Sequence, residues 1–317
     1  DRPALERLRH GSKPLLVTTY TDPAPECAAS LRELGIPLYP NTRRCAWAVA
    51  ALAAVGTPGR PVEPLPTIDV SGVRALVDSW RDRPTGRSVA EYEVAELLRT
   101  AGIPVAIGEL ATDADQAAAV AAHIEGPVAV KVQSADIPHK AAVGGVVLGV
   151  EGPAAVRSAY AEVTAAVARN APAAVVDGVL VQPMVEPGIE LIVGVQNSSG
   201  FGPMVLVGIG GSLVEVIDRT VLYPAPFGAD TALELLRRLR LDRLHADDPH
   251  LTRMGPLAPL ISRVSVLAAA LEYELCELDL NPVVLNKSGG VAVVDALAAL
   301  SLELQPGDIR ADVRAAI

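Results

Sequence analysis

The stretch Lys131–Val146, KVQSADIPHKAAVGGV, decides how this chain is read. It continues an apolar run, Pro127–Val130, whose alternation puts Lys131 on a strand over Val128–Val132. Gln133–Ala142 then reads as a flexible-looking segment ahead of a second strand, Gly145–Val150. Within sixteen residues the stretch assembles a lysine, a histidine–lysine pair and a double glycine. Those parts suit the handling of a triphosphate, which needs a fixed cation, open backbone N–H groups and, where the phosphoryl group is passed on, a nucleophile. His139 is the candidate nucleophile, because a neutral imidazole can attack phosphorus and histidine titrates near neutrality. Lys140 beside it is placed to lower its pKa and to screen phosphate charge. Taken singly, each feature has a plainer reading: Lys131 as an edge-strand lysine that guards against aggregation, Gly144 and Gly145 as an ordinary turn, His139 as a surface histidine.

Near the other end, ELDLNPVVL at Glu277–Leu285 and VVDA at Val293–Ala296 offer oxygen ligands of the kind Mg2+ prefers. Asn281 and Asp295 stand fourteen positions apart. A turn at Asn286–Gly290 (NKSGG) would let both face one pocket, with Glu277 or Asp279 in support. One amide oxygen and one carboxylate suffice there, since Mg2+ completes its shell with phosphate oxygens and water. The plainer readings are a turn begun by Asn281-Pro282 and a helix capped by Asp295. His10, His123, His245 and His250 have no supporting context.

Composition narrows the class. Half of the 317 residues are apolar but only 3% are aromatic, so Ala and Val fill the core and favour close helix–sheet packing. The length suits two domains. A net charge of −10 with no basic stripe argues against nucleic-acid binding, and the arginines of Arg237–Arg240 read as a solvated helix face. Cys27, Cys45 and Cys276 have no metal-like spacing and read as buried small apolar residues in a reducing compartment. No apolar run reaches the roughly 20 residues that span a bilayer, and no signal-peptide pattern opens the chain. The expectation is therefore a cytoplasmic protein without membrane contact. Asp1 in place of Met suggests a processed or truncated start.

Organisation follows from periodicity. Pro14–Thr19 and Ile36–Tyr39 read as buried strands separated by a helix at Ala24–Leu34, and Asn41 or Thr42 caps a further helix to about Val55. This βαβα order belongs to a doubly wound parallel sheet, yet two strands make too small a sheet to stand alone. Residues 1–55 therefore read as the tail of a larger domain or as a half-sheet completed by a partner. A Pro/Gly-rich linker starts at Gly56 and carries a helix with Val73, Leu76, Val77 and Trp80 on one face, to residue 87. From Ser88 the pattern becomes α+β and two-lobed. Ser88 and Glu91 have capping-box spacing, Val94, Leu97, Leu98 and Ala101 form a buried stripe, and Ile103–Ile107 reads as a strand. Helices follow at Thr112–Ile124, Ala154–Asn170, Thr231–Leu239 and Leu257–Leu271. Strands follow at Gly178–Met184, Glu190–Val195, Pro203–Ile209, Glu274–Leu278 and Val291–Val294.

In this order the motifs closely resemble a known family. Ser88 to about Leu300 resembles the ATP-grasp domain of nucleoside-diphosphate-forming acyl-CoA synthetases, relatives of succinyl-CoA synthetase and ADP-forming acetyl-CoA synthetase. The resemblance rests on PVAVKVQSADIPHKAAVGGV, GVLVQPMVEPGIELIVGV, FGPMVLVGIGGSLVEVIDR, ELDLNPVVL and VVDA. Residues 1–55 look like the closing piece of the flavodoxin-like CoA-ligase domain. The resemblance implies ATP or ADP and Mg2+ as cofactors, with Lys131 on the phosphates and Gly144 and Gly145 in a phosphate-covering loop. It implies a hinge strand beside adenine at Gln182, Pro183, Met184 and Val185, an acidic nucleotide-site residue at Glu190, and Mg2+ ligands at Asn281 and Asp295. His139 matches the second phosphohistidine of the acetyl-CoA synthetase branch, so the implied reaction is acid + CoA + ATP ⇌ acyl-CoA + ADP + phosphate. CoA-binding and primary-histidine domains are the implied partners, with an oligomer expected. Departures fall at Ala142, where relatives carry an acid, at Asn197–Gly200, at Leu222–Ala225, and in LRLDRLHADD at Leu239–Asp248. Two other readings stay open: a degenerate binding module, and an ATP-grasp carboxylate ligase of another kind.

Overall fold

The computed structural model describes residues 2–9, 14–19, 21, 23–39, 41–56, 63–80, 88–198, 202–211, 219–240 and 254–300. The linker core at 57–62 and the departures at 199–200 and 241–248 lie outside the described residues. The chain divides into two units, Asp1–Val62 and Glu63–Ile317.

The smaller unit holds helix α1 (Arg2–Arg9), which the sequence reading did not anticipate, then β1 (Val17–Thr18), α2 (Pro25–Glu33), β2 (Leu38–Tyr39) and α3 (Thr42–Gly56). The two strands pair in parallel, Val17 against Leu38. Between the two candidate caps of α3 the structure selects Asn41, whose Oδ1 accepts the Arg44 N–H at 2.9 Å. The core here is small: Leu31, Leu34 and Ile36 are buried against Leu5, Leu15, Val17 and Leu38.

The larger unit carries two antiparallel sheets. One has four strands in the order β4 (Glu109–Ala111), β7 (Gly178–Pro183), β5 (Val128–Gln133), β6 (Val146–Val150). Helices α6 (Ala114–Ala122) and α7 (Pro153–Asn170) cover it, and Ala117, Val128, Val130, Val156, Val163 and Val181 fill the space between. Small and β-branched side chains allow this close packing. The other sheet has seven strands. Its path runs β10 (Thr220–Pro224), β9 (Gly202–Ile209), β8 (Gly188–Ser198), β11 (Leu275–Asn286), β13 (Ala296–Leu300), β3 (Ser88–Val89), with β12 (Val291–Val293) on β11. Helices α4 (Val70–Ser79), α5 (Glu91–Thr100), α8 (Ala229–Leu239) and α9 (Leu257–Ala270) contribute Val77, Leu97, Leu236 and Leu260 to its core. The linker helix is thus part of the larger unit.

Several local expectations are corrected. Ser88 lies in β3 and caps nothing; Ala90 starts α5, and the Glu93 carboxylate accepts its N–H at 3.3 Å. Residues 103–107 form no strand, only a parallel bridge of Val105 to Val293, because Pro104 has no N–H to give and the Ala106 carbonyl is taken by Gln182. The helix expected from Thr112 begins at Ala114, capped by Asp113, whose Oδ1 accepts the Gln116 N–H, and Cys27 and Cys276 are exposed rather than buried. The strand expected to end at Leu278 runs on to Asn286, since a bulge at Asn281 and Pro282, opposite Ile192, carries the proline through the ladder. Gln133–Ala142 is anchored rather than bare: Ile137 is buried against Val132 and Val167, and Asp136 accepts the Val175 N–H.

Candidate active site

A cavity of about 510 Å³ gathers most of the residues singled out from the sequence. Lys131, His139 and Asp295 line it, as do Gln182, Pro183, Met184 and Val185, expected from the sequence to form a hinge, and Glu190. Gly144, Gly145 and Asn281 are outside its lining.

Lys131 is not an edge-strand lysine. It sits on β5, between β7 and β6, paired with Leu180 on one side and Val146 on the other. Its ammonium is almost wholly removed from water and donates to Glu91 Oε1 at 2.7 Å and to the Val294 carbonyl at 2.9 Å. Lys140 is equally buried, and its Nζ lies 3.2 Å from Glu91 Oε2 and 3.0 Å from Asp295 Oδ1. Burial by itself pushes the Lys140 pKa down, but Glu91 and Asp295 outweigh it and hold the pKa above the usual lysine value. Gln133, fully buried, donates its amide to Glu91 Oε2 at 3.3 Å and accepts the Tyr92 N–H at 3.2 Å. Two ammoniums and two carboxylates thus balance, with the buried groups hydrogen-bonded, which is the condition under which buried charge is tolerated. Glu91 also opens α5, where the helix dipole favours a carboxylate.

Glu91 escaped the sequence reading, which used it as a capping partner. A signal was present: Glu91, Val94, Leu98 and Ala101 fall on one helical face, so a carboxylate stood on an apolar stripe and required a buried cation. Lys140 likewise turns its ammonium to Glu91 and Asp295, which replaces the expectation that it serves His139 directly.

His139 is exposed, precedes a 3₁₀ turn at Lys140–Val143, and its side chain makes no hydrogen bond among the described residues. Asp279, half-buried on β11, has its carboxyl raised by burial first and by Glu277 second, while His139 pulls it down. The double glycine serves the turn. Gly144 takes φ +72°, and a Cβ on Gly145 would lie 2.4 Å from Val132 Cγ1. The Gly144 N–H donates to the Ala141 carbonyl and the Gly145 N–H to the Lys140 carbonyl at 2.8 Å. These donors are spent on the turn, contrary to the expectation of amides held open for phosphate.

Asp295 lies between β12 and β13 and precedes no helix. Its Oδ1 accepts Lys140 and its own following N–H, from Ala296, at 2.9 Å; Oδ2 makes no hydrogen bond among the described residues. The Asn281 N–H donates to the Asp295 carbonyl at 3.1 Å and the Val294 N–H to the Pro282 carbonyl at 2.9 Å, so the bulge and Asp295 are stitched together. Among the described residues no three His, Cys, Asp or Glu side chains converge as a metal site. The donor types present, one open carboxylate oxygen on Asp295 and an amide on the exposed Asn281 whose backbone is tied to it, fit a hard cation that draws its other ligands from phosphate and water.

At the far end, Gln182 is buried and commits its amide to the Ala106 carbonyl at 2.9 Å, while Met184 and Glu190 are exposed. The Met184 N–H donates to the Pro127 carbonyl at 3.0 Å, which fixes the exit of β7. No helix among the described residues is long and apolar enough to cross a membrane.

Comparison with known proteins agrees with this geometry. Residues 83–300 match the family model for the ATP-grasp domain. The chain is 34% identical to a trans-feruloyl-CoA synthase from an unidentified prokaryote and 35% identical to ADP-forming acetate–CoA ligase I of Archaeoglobus fulgidus. These alignments cover 84% and 86% of this chain but only 37% and 40% of the relatives. The β subunit of ADP-forming acetate–CoA ligase II of Pyrococcus furiosus is 30% identical over 66% of this chain and 90% of its own length. Among solved structures, acetyl-coenzyme A synthetase 1 of Ca. Korarchaeum cryptofilum, in complex with coenzyme A and Ca-AMPCP, superposes with a TM-score of 0.67 at 30% identity. That match covers 72% of this chain and 99% of the other. Another complex of the same synthetase, with Mg-AMPPCP, has its phosphohistidine segment pointing towards the nucleotide-binding site (TM-score 0.60, 28% identity, 72% and 99% covered).

Proposed function

The chain belongs to the ATP-grasp family of ADP-forming acyl-CoA synthetases, and from that premise we propose that its cavity binds Mg-ATP or Mg-ADP and passes a phosphoryl group through His139. The observation that carries this reading is the placement of Lys131, His139, Lys140 and Asp295 in one cavity with the strand end Gln182–Val185. Base and ribose would lie along that strand end and Glu190, with the phosphates toward the lysines. Asp295 and Asn281 would hold Mg2+, which when bound neutralises phosphate charge.

His139 then acts as the nucleophile. A neutral ring nitrogen attacks the terminal phosphorus, the bond from phosphorus to the bridging oxygen breaks, and ADP leaves with the electron pair. The reverse step returns the phosphoryl group from the imidazole to ADP. Each ammonium has three N–H donors; two on Lys131 and at least one on Lys140 are already engaged, so each cation keeps a donor for phosphate oxygens. Positioning and electrostatics of this kind supply most of the catalysis in phosphoryl transfer. Relatives that share this region are named for different acids, acetate and ferulate among them, which supports acid selection by parts of the enzyme beyond this match. CoA and a primary phosphohistidine would come from such domains, and residues 1–55 would be the closing piece of one.

A second reading is a nucleotide-binding module without transfer. One observation favours it: the Gly144 and Gly145 amides are consumed by their own turn. Incubation with γ-labelled Mg-ATP separates the two. Acid-labile label on the wild type and none on His139→Ala establishes the relay. Label on neither, with nucleotide bound by both, supports the binding module.

A further inference from the structure

Glu91 is absent from the lining of the large cavity and lines instead a smaller hollow of about 160 Å³; the two hollows share Gln182, Val294 and Asp295. The ammoniums it holds do line the large one. Glu91 therefore stands behind the lysines rather than competing with a ligand in front of them. Its Oε1 fixes Lys131 and its Oε2 fixes Lys140, each at salt-bridge distance and each with one further acceptor, Val294 O for Lys131 and Asp295 Oδ1 for Lys140. Two N–H vectors of the Lys131 ammonium are fixed by hydrogen bonds, which leaves its third no freedom; Lys140 is held by its hydrogen bond to Asp295 and its ion pair with Glu91. We infer that Glu91 is a positioning residue that aims the remaining donors of Lys131 and Lys140 at the phosphates of a bound nucleotide.

The inference rests on the nucleotide reading above, and it goes beyond that reading in assigning a role to a residue that touches no ligand. It also specifies what Glu91→Gln does. An amide in this place has one acceptor and one donor group. Oε2 faces two donors, Lys140 Nζ and Gln133 Nε2, whereas Oε1 faces Lys131 Nζ alone. The orientation with fewest donor–donor conflicts puts the NH2 against Lys131. The variant thus releases Lys131 while leaving its charge and the hinge end of the cavity unchanged.

The test is calorimetric titration of the chain with Mg-ADP and, separately, with adenosine, which has no phosphates to be aimed at. Glu91→Gln is expected to lose at least about tenfold in Mg-ADP affinity, the scale of one charged hydrogen bond, with adenosine affinity unchanged within about twofold. Added to Lys131→Met, the same change should cost little more, because the group it acts through is gone. Equal losses for both ligands would make Glu91 merely structural and overturn the inference. So would an unchanged or tightened Mg-ADP affinity. If Glu91→Gln does not fold, Glu91→Asp, which keeps the charge on a shorter arm, is read by the same two-ligand split. Wild type and Glu91→Gln that both gain equally from the phosphates would overturn Glu91's role alone; wild type that gains nothing from the phosphates, or takes up neither ligand, would overturn the nucleotide reading with it.

Discussion

At the charged end of the cavity Lys131 and Lys140 are 4% and 7% exposed, backed from outside its lining by Glu91 at 5%, and each charge is tied to another; at the strand exit Met184 is 41% exposed and Glu190 stands in solvent. The first end is over-determined, with elements more than 150 residues apart meeting at Lys140 and Asp295. The second is a strand exit held by the Gln182 amide and one backbone bond. The difference fits their proposed tasks. Phosphate chemistry gains from donors that need no reorganisation, whereas a base can be held by a surface that adapts. Stability and function should therefore be coupled at the charged end and separable at the hinge end.

The harshest way to break that contrast is Glu91→Ala. Two buried ammoniums would share the loss of a partner, a change worth about 3–5 kcal/mol, and thermal unfolding should shift by roughly 10 °C or more for a unit of this size. Met184→Ala should leave the midpoint within about 2 °C, as an exposed position does. Matching shifts at both ends would remove the contrast.

Gly145→Ala tests the turn between them. The new methyl group meets Val132 at 2.4 Å, so about 1–3 kcal/mol of overpacking is expected in a denaturant titration. Because the Gly145 amide is already bonded within the turn, nucleotide affinity per folded molecule should change little.

Asp295→Asn sharpens the charged end. It leaves Lys140 with Glu91 and removes the open carboxylate oxygen, so Mg-ADP affinity should fall about tenfold while ADP in chelator changes less, as two calorimetric series would show. Equal losses with and without Mg2+ would take Asp295 out of the metal site.

The smallest effect lies outside the cavity. Gly228 begins α8 with no side chain, and Glu63 Oε2 accepts the Thr231 N–H at 3.1 Å in its place. Burial pulls the Glu63 carboxyl upward, but bonds from Thr231, Gly228 and Asp230 outweigh it and hold it below the ordinary value. Such a group stabilises the fold above its unfolded pKa and loses that contribution as pH falls through the folded one. Glu63→Gln should thus cost up to about 1 kcal/mol at pH 7 and converge with wild type in acid, measured by unfolding at a series of pH values.

What was legible in the chain follows from whether a signal is local. Strand alternation placed Lys131, and the buried stripe of α5 stood out, because each lies within one element. The bulge at Asn281–Pro282 hid half of β11, since a proline read locally ends a strand and only the partner β8 shows that the ladder resumes. The residues at 103–107 looked like a strand but lack the donors for a ladder. Glu91 was the largest omission. Its role exists only once α5, β5 and the 3₁₀ turn are brought together, and its capping-box spacing offered a local explanation that the fold did not adopt. The double glycine stood out in the sequence, but its structural need, a positive φ at Gly144 and the approach of Val132 to Gly145, shows only in the fold.

The most direct test of the account is calorimetric titration of wild type and Lys131→Met with Mg-ADP and with adenosine. The account predicts that the variant loses Mg-ADP affinity by about a hundredfold, as for a buried charged contact to phosphate, and keeps adenosine affinity within about threefold. Mg-ADP bound equally well by both proteins would contradict it, because the fixed cation at the charged end would then have no part in holding phosphate.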